Sequence, residues 1–266
     1  MHALLNIAVR AARAAGEVII RSLNRLESLT ITSKGRNDFV SEVDHAAEAE
    51  IIKLIRKNYP SHAFLAEESG RTGESDTIWI IDPLDGTTNF LHGFPTFSVS
   101  VACQIKGKLE HGVVYDPISQ ELFTASRGGG AHLDNRRIRV SKLRGLEGSL
   151  ISTGFPYRAN AKYLDSYMLM LRAVMENAAG VRRPGSAALD LAYVAAGRTD
   201  AFWEIGLAPW DTAAGTLLIQ EAGGRIGTLT GGEYTQGGNV LAGSPKVYAA
   251  LLELLAPHVP QELREG

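Results

Sequence analysis

Between Phe97 and Thr124 three strand-like runs follow one another, and the turns joining them are too short to hold a helix. The runs span 98–105, 109–115 and 120–124, with Gly107 and Asp116-Pro117 between them. Strands joined by tight turns pair antiparallel, because a parallel pair needs a crossover of about a dozen residues. At least part of the sheet is therefore a meander. On either side the pattern alternates. Apolar spacing gives a first helix, with Leu4, Ala8, Ala11, Ala15 and Val18 on one face and Arg10, Arg13, Glu17 and Arg21 on the other. A second helix spans about 43–58, capped by Ser41 and stopped by Pro60. A short buried strand covers 77–82. Beyond the meander, helices over 163–177, 186–196 and 210–222 alternate with strands over 200–204 and 240–243, and Pro245 opens a last helix. This mixture predicts a layered α/β (α+β) architecture and rules out a plain doubly wound sheet.

The 266 residues suffice for one large domain or two small ones, and no repeat, low-complexity tract or Pro/Ser-rich linker divides them. A net charge of −2 supplies no global positive field for nucleic acid. Cys103 is the one cysteine, which excludes an intrachain disulfide framework and cysteine-rich zinc sites and makes a reducing compartment the expectation. No apolar run reaches the roughly 18 residues of a membrane span. The arginines and Glu17 of the first helix argue against a targeting segment, so the expected location is cytoplasmic.

Walker A, strand-linked Gly-x-Gly-x-x-Gly and Gly-x-Ser-x-Gly patterns are absent, and the histidines do not cluster. The chemistry left uses oxygen ligands. Asp82-Pro83-Leu84-Asp85-Gly86-Thr87-Thr88 follows directly on the buried strand. Asp85 comes three residues after Asp82, so both carboxylates can face one point. Gly86 allows close approach of the backbone, and the amides after it can cradle an anion. Two such carboxylates call for a hard divalent cation, and Mg²⁺ takes carboxylates together with substrate phosphate. A tight turn with Asx caps is the plainer alternative. Glu67-Glu68, Asp211 and Asp44 are further candidates, each with its own plain reading: an exposed acidic pair, and two acids complementing helix N-termini.

These residues resemble the signatures of the inositol monophosphatase family of Mg²⁺-dependent, lithium-sensitive phosphatases. Trp79-Ile80-Ile81-Asp82-Pro83-Leu84-Asp85-Gly86-Thr87-Thr88-Asn89-Phe90 looks like the first signature. Trp210-Asp211-Thr212-Ala213-Ala214-Gly215, with Glu221-Ala222-Gly223-Gly224, looks like the second, and Glu67-Glu68-Ser69 like the acidic element. The resemblance implies alternating α-β-α-β-α layers with mixed sheets in a single phosphatase domain over 1–266, with pseudo-halves at about 1–146 and 147–266. It implies two or three Mg²⁺ ions. Glu67, Asp82 and the Leu84 carbonyl would hold the first, and Asp82, Asp85 and Asp211 the second. Leu84, Asp85, Gly86 and Thr87 would contact the phosphate. Gly185, Ser186, Ala187, Glu204 and Asp211 would face a polyol, and Arg183 would be a substrate-side or subunit-interface residue. Glu67 and Thr87 would orient the attacking water, with Asp44 supporting Thr87. Ser41 stands where many members have threonine, and Ala208-Pro209 departs from animal members.

The reaction so implied is hydrolysis of a phosphomonoester by a homodimer, with myo-inositol 1-phosphate as the expected substrate; relatives act on fructose bisphosphate, adenosine bisphosphate, NADP or histidinol phosphate, and the sequence does not separate these. The N-terminal segment and the Gly185–Tyr193 stretch look closest to bacterial members that associate with the transcription machinery in ribosomal RNA antitermination. A binding role with RNA polymerase and its Nus factors is thus the alternative. Arg136, Arg137, Arg139, Lys142 and Arg144 place five basic residues in nine and read either as a solvated hairpin or as a docking patch. Ordering of a Lys34-to-Asp38 loop by metal could couple the two roles.

Overall fold

The computed structural model describes residues 2–28, 31–35, 38–156 and 158–264. Helix α1 (Ala3–Leu23) opens the chain and buries Leu4, Ala8, Ala11 and Ala15 as its spacing predicts, while Arg10, Arg13, Glu17 and Arg21 stay exposed. A hairpin of β1 (Ile31–Gly35) and β2 (Asp38–Ser41) follows. The expected Lys34-to-Asp38 loop is thus strand at Lys34, Gly35 and Asp38, and its middle, 36–37, lies outside the described residues. Ser41 ends β2 and caps α2 (Glu42–Asn58): its hydroxyl accepts from the Val43 amide, and the Asp44 carboxylate accepts from the Ser41 amide at 2.9 Å. Then come β3 (Ala63–Ala66), β4 (Gly70–Thr72), β5 (Thr77–Asp85) and the five-residue α3 (Thr87–Leu91). The meander is β6 (Ser98–Ile105), β7 (Lys108–Asp116) and β8 (Glu121–Ser126), continued by β9 (Gly130–Leu133) and β10 (Arg136–Arg137).

These strands form one eight-stranded sheet in the order β10-β9-β8-β7-β6-β5-β3-β4, antiparallel except for β3 beside β5. The rest of the chain builds a five-stranded mixed sheet from β11 (Leu150–Thr153), β12 (Gly180–Arg182), β13 (Ala201–Leu207), β14 (Arg225–Gly227) and β15 (Gly238–Gly243), in the order β12-β11-β13-β15-β14. Its helices are α4 (Leu164–Asn177), α5 (Ala187–Ala195), α6 (Pro209–Glu221) and α7 (Pro245–Leu255).

Three buried clusters fill the spaces between layers. One joins α1 and α2 to the first sheet, a second joins the two sheets through α5 and α6, and a third joins the second sheet to α4 and α7. The layers therefore run α-β-α-β-α. Helices α5 and α6, sandwiched between sheets, are buried almost all round, as a central layer requires. No helix among the described residues is long and apolar enough to cross a membrane.

Candidate active site

The sequence reading ends the buried strand at Asp82, but β5 continues to Asp85. Its pairing with β6 slips in between, since Asp82 faces Ser100 while Asp85 faces Ser98. Three steps on β5 thus match two on β6, a bulge of one residue. Side chains alternate along a strand, so residues 82 and 85 would ordinarily point to opposite faces; the extra residue turns both to the same side. Asp82 is buried, and its Oδ1 accepts from the Leu84 amide at 3.0 Å, which holds the bulge. Gly86 follows with φ +95°, and a Cβ there would stand 3.0 Å from the Thr96 carbonyl and 3.1 Å from that of Gly185, so the position is restricted to glycine.

Each remaining candidate is delivered by a different element. The Glu67 amide donates to the Ile81 carbonyl at 3.1 Å, setting the β3–β4 turn beside β5. Glu48 on α2 braces the same turn, its two carboxylate oxygens accepting from the amides of Glu68 (2.8 Å) and Ser69 (2.9 Å). Asp211 opens α6, where its Oδ2 accepts from the Ala208 amide at 2.7 Å, in the place the plain reading of an acid at a helix N-terminus gives it. Asp44 accepts from the Thr87 hydroxyl at 2.9 Å, while its other oxygen accepts from the Ser41 hydroxyl at 2.6 Å. Thr87 Oγ also lies 3.0 Å from the Leu84 carbonyl.

A cleft of about 500 Å³ brings Glu67, Asp82, Leu84, Asp85, Gly86 and Thr87 together with Asp211. Its other wall carries Arg183, Gly185, Ala187 and Glu204. Asp44 and Ser186 stand behind the lining. Ser186, expected to face a polyol, is fully buried and donates its hydroxyl to Asp85 Oδ2 at 2.6 Å, beside the Ala188 amide at 2.8 Å. The Arg183 guanidinium lies over the Phe155 ring at 5.0 Å. Two buried acids were not read as site residues from the sequence: Glu48 and the cleft-lining Asp190.

The electrostatics of the acidic end are unfavourable by themselves. Burial, then the charges of Glu67, Asp85 and Asp211 and a hydrogen bond with Glu67, hold the Asp82 carboxyl well above the usual range. Burial also raises Asp85, against the pull of Ser186, the amides of Ala188 and Ala187, and Arg183. Glu204 is likewise held well above its usual range by burial and by Asp190. Among the described residues no group of three or more carboxylate, imidazole or thiol side chains is placed to hold a metal ion. The donor set is open and all oxygen: carboxylates and the Leu84 carbonyl facing a cleft. That suits a hard cation which keeps waters and shares ligands with a phosphate. It does not suit a soft metal.

Comparison with known proteins places this five-layer α/β fold and its acidic cleft in a phosphatase family. The chain belongs to the inositol monophosphatase family, whose pattern it matches over residues 1–264. It is 54% identical over 270 residues to the Nus factor SuhB of Pseudomonas aeruginosa, covering 99% of this chain and 100% of that protein. The crystal structure of the extragenic suppressor protein SuhB from Bartonella henselae superposes with a TM-score of 0.94 at 45% identity, covering 97% of this chain and 100% of that one. The inositol monophosphatase of Anabaena superposes with a TM-score of 0.82 at 38% identity, covering 97% of each chain. The family is generally Mg²⁺-dependent.

Proposed function

We propose that the chain is a Mg²⁺-dependent phosphomonoesterase acting on a polyol monophosphate, with myo-inositol 1-phosphate as the expected substrate. The observation that carries this is the β5 bulge, which turns Asp82 and Asp85 into one cleft with Glu67 and Asp211. The name of the Anabaena relative supports the substrate class. We assign Glu67, Asp82, the Leu84 carbonyl, Asp85 and Asp211 to Mg²⁺. When bound, the ions neutralise the phosphoryl charge, activate water and stabilise the leaving oxygen. The protein's own groups do the positioning. Asp44 accepts a hydrogen bond from the Thr87 hydroxyl, which leaves the lone pairs of Thr87 Oγ able to accept from a water at the mouth of α3. Glu67, set by Glu48, orients the same water. Leu84 to Thr87 line the place of the phosphate, and Glu204 accepts from hydroxyls of the leaving group. No protein nucleophile is required. We read the chain as one domain of two pseudo-halves, working as a cytoplasmic homodimer.

The test is phosphate release from a panel of sugar and polyol phosphates, with and without Mg²⁺ and lithium. Mg²⁺-dependent, lithium-sensitive release is expected, and no release from any ester would end the reading. Glu48→Gln should raise the Mg²⁺ requirement or lower kcat by about 10- to 100-fold, the usual cost of losing a group that orients a metal ligand. An amide can accept only one of the two N–H bonds that the carboxylate holds, so the Glu67 turn loosens. Wild-type behaviour of that variant would remove Glu48 from the site.

The name Nus factor SuhB on the Pseudomonas relative favours a second role, association with RNA polymerase and its Nus factors. Arg136 and Arg137 form β10 at the edge of the large sheet, and Arg139, Lys142 and Arg144 follow, all five exposed and none lining the cleft. Only Arg136 and Arg137 belong to the β9–β10 hairpin, and the exposure of all five is compatible with solvated surface and with a docking patch alike. Reversing the charge at Arg137 and Arg139 should weaken a salt-sensitive partner contact by about 0.2–1 kcal/mol per exposed pair. It should leave turnover nearly unchanged. A pull-down against polymerase and elongation factors beside the phosphatase assay decides it, because parallel loss of both properties would mean one shared surface.

A further inference from the structure

Asp190 is 1% exposed and lines the cleft; its Oδ1 has no donor within hydrogen-bond distance, and the Ser152 hydroxyl, itself buried and without another partner, is the one neighbouring hydroxyl that pulls its carboxyl down. It sits in the first turn of α5, among Ala188, Leu189, Leu191 and Ala192, all buried. A buried carboxylate oxygen without a partner costs free energy, and packing between two sheets gives no reason to keep it. The acids assigned to Mg²⁺ do not include it.

Its surroundings point to the leaving-group end of the cleft. Glu204, on β13, fills the space that a side chain at position 154 would occupy, so Gly154 is what allows its carboxyl to lie there. After burial itself, the Asp190 charge is the main influence raising the Glu204 carboxyl. Arg183 acts on both acids in the opposite sense. Both carboxyls line the same cleft, so its wall offers two acidic groups to whatever lies against it. Hydroxyl groups donate and accept, and a polyol face matches such a wall. A second anionic group on the substrate would meet acids there.

We propose that Asp190 is a specificity-determining residue that backs Glu204, the two carboxyls together reading the hydroxyls of an uncharged polyol leaving group. The inference rests on the phosphatase reading and deepens it. Alanine is well tolerated in a helix such as α5, so Asp190→Ala serves as the deletion; Asp190→Ser replaces it should that variant fail to fold, and Asp190→Asn keeps the shape. KM and kcat are measured in saturating Mg²⁺ on myo-inositol 1-phosphate and on 4-nitrophenyl phosphate, whose leaving group carries no polyol. Asp190→Ala should raise KM for the inositol ester about tenfold more than for the nitrophenyl ester, the scale of one hydrogen bond to a charged group. Asp190→Asn should recover most of that preference. Equal losses on the two esters, or an asparagine variant no better than alanine, overturn the inference while leaving the phosphatase in place. Wild-type protein that hydrolyses neither ester overturns the phosphatase reading, and this inference with it.

Discussion

Asp85→Asn is expected to lower kcat by at least ~10³, because it removes a carboxylate from the cation clamp on the transition state. The geometry explains why an isosteric change suffices. Asp85 Oδ2 is already held by the Ser186 hydroxyl and the Ala188 amide, so under the proposed assignment the other oxygen would meet the cation. Asparagine keeps the oxygen that accepts from Ser186 and Ala188 and turns an NH₂ group toward the metal. The fold should survive. Burial raises the Asp85 carboxyl above its ordinary value. A group raised in the native state adds stability that is present below the unfolded-state pKa and is lost as pH rises through the native one. Metal-free wild type should therefore melt at higher temperature as the pH falls from neutral. The variant should show a flatter profile and melt at or above wild type at neutral pH. Kinetics at saturating Mg²⁺ and melts in EDTA check both parts. Activity within tenfold of wild type would sink the metal assignment.

Much of this site is visible in the sequence because each piece carries its own local signal. The helix cap at Ser41, the hairpin at Lys106-Gly107 with positive φ at both residues, and the apolar runs of the meander all follow from chain chemistry a few residues long. The acids Asp82 and Asp85 were legible for the same reason. What brings them to one face was not, because a bulge depends on the register with β6, a partner strand that residues 77–82 alone do not specify. The short strands β4, β9, β11, β12 and β14 also escaped, since three or four residues give no periodicity and their identity comes from neighbours in the sheet. Glu48 and Asp190 had a signal that was passed over. Glu48 lies four residues after Asp44, beside the apolar stripe of Val43, Ala47 and Ile51, and Asp190 is the one acid in an otherwise buried helix. An acid placed on a buried face needs a partner, and in both cases the partner is the cleft or the turn that shapes it.

Gly215→Ala is expected to damage the site from a distance, through the packing of α6 on α5. A Cβ at Gly215 would stand 2.6 Å from Leu191 Cβ and 2.5 Å from its Cδ1, so the two central helices must separate to admit one methyl group. They carry the groups that have to converge. Asp211 lies at the start of α6, while the start of α5 supplies Ser186 and the Ala188 amide that grip Asp85. Overpacking of this kind costs about 1–3 kcal/mol. With roughly 2–4 °C of Tm per kcal/mol for a chain somewhat below this size, the melting point should fall by about 5 °C. The larger effect should be on function: the Mg²⁺ concentration for half-maximal rate should rise about tenfold or more, since misplacement by an ångström of groups holding a transition state costs up to about 10² in rate. Gly223→Ala is the control. Gly223 follows α6 at φ +85° with open space around it, so alanine there strains the backbone by about 1 kcal/mol without pushing the helices apart. Its Tm should drop while its Mg²⁺ response stays at the wild-type value. If both glycine variants shift the Mg²⁺ response together, the loss comes from general destabilisation. The α5–α6 contact would then not be what sets the distance between Asp85 and Asp211.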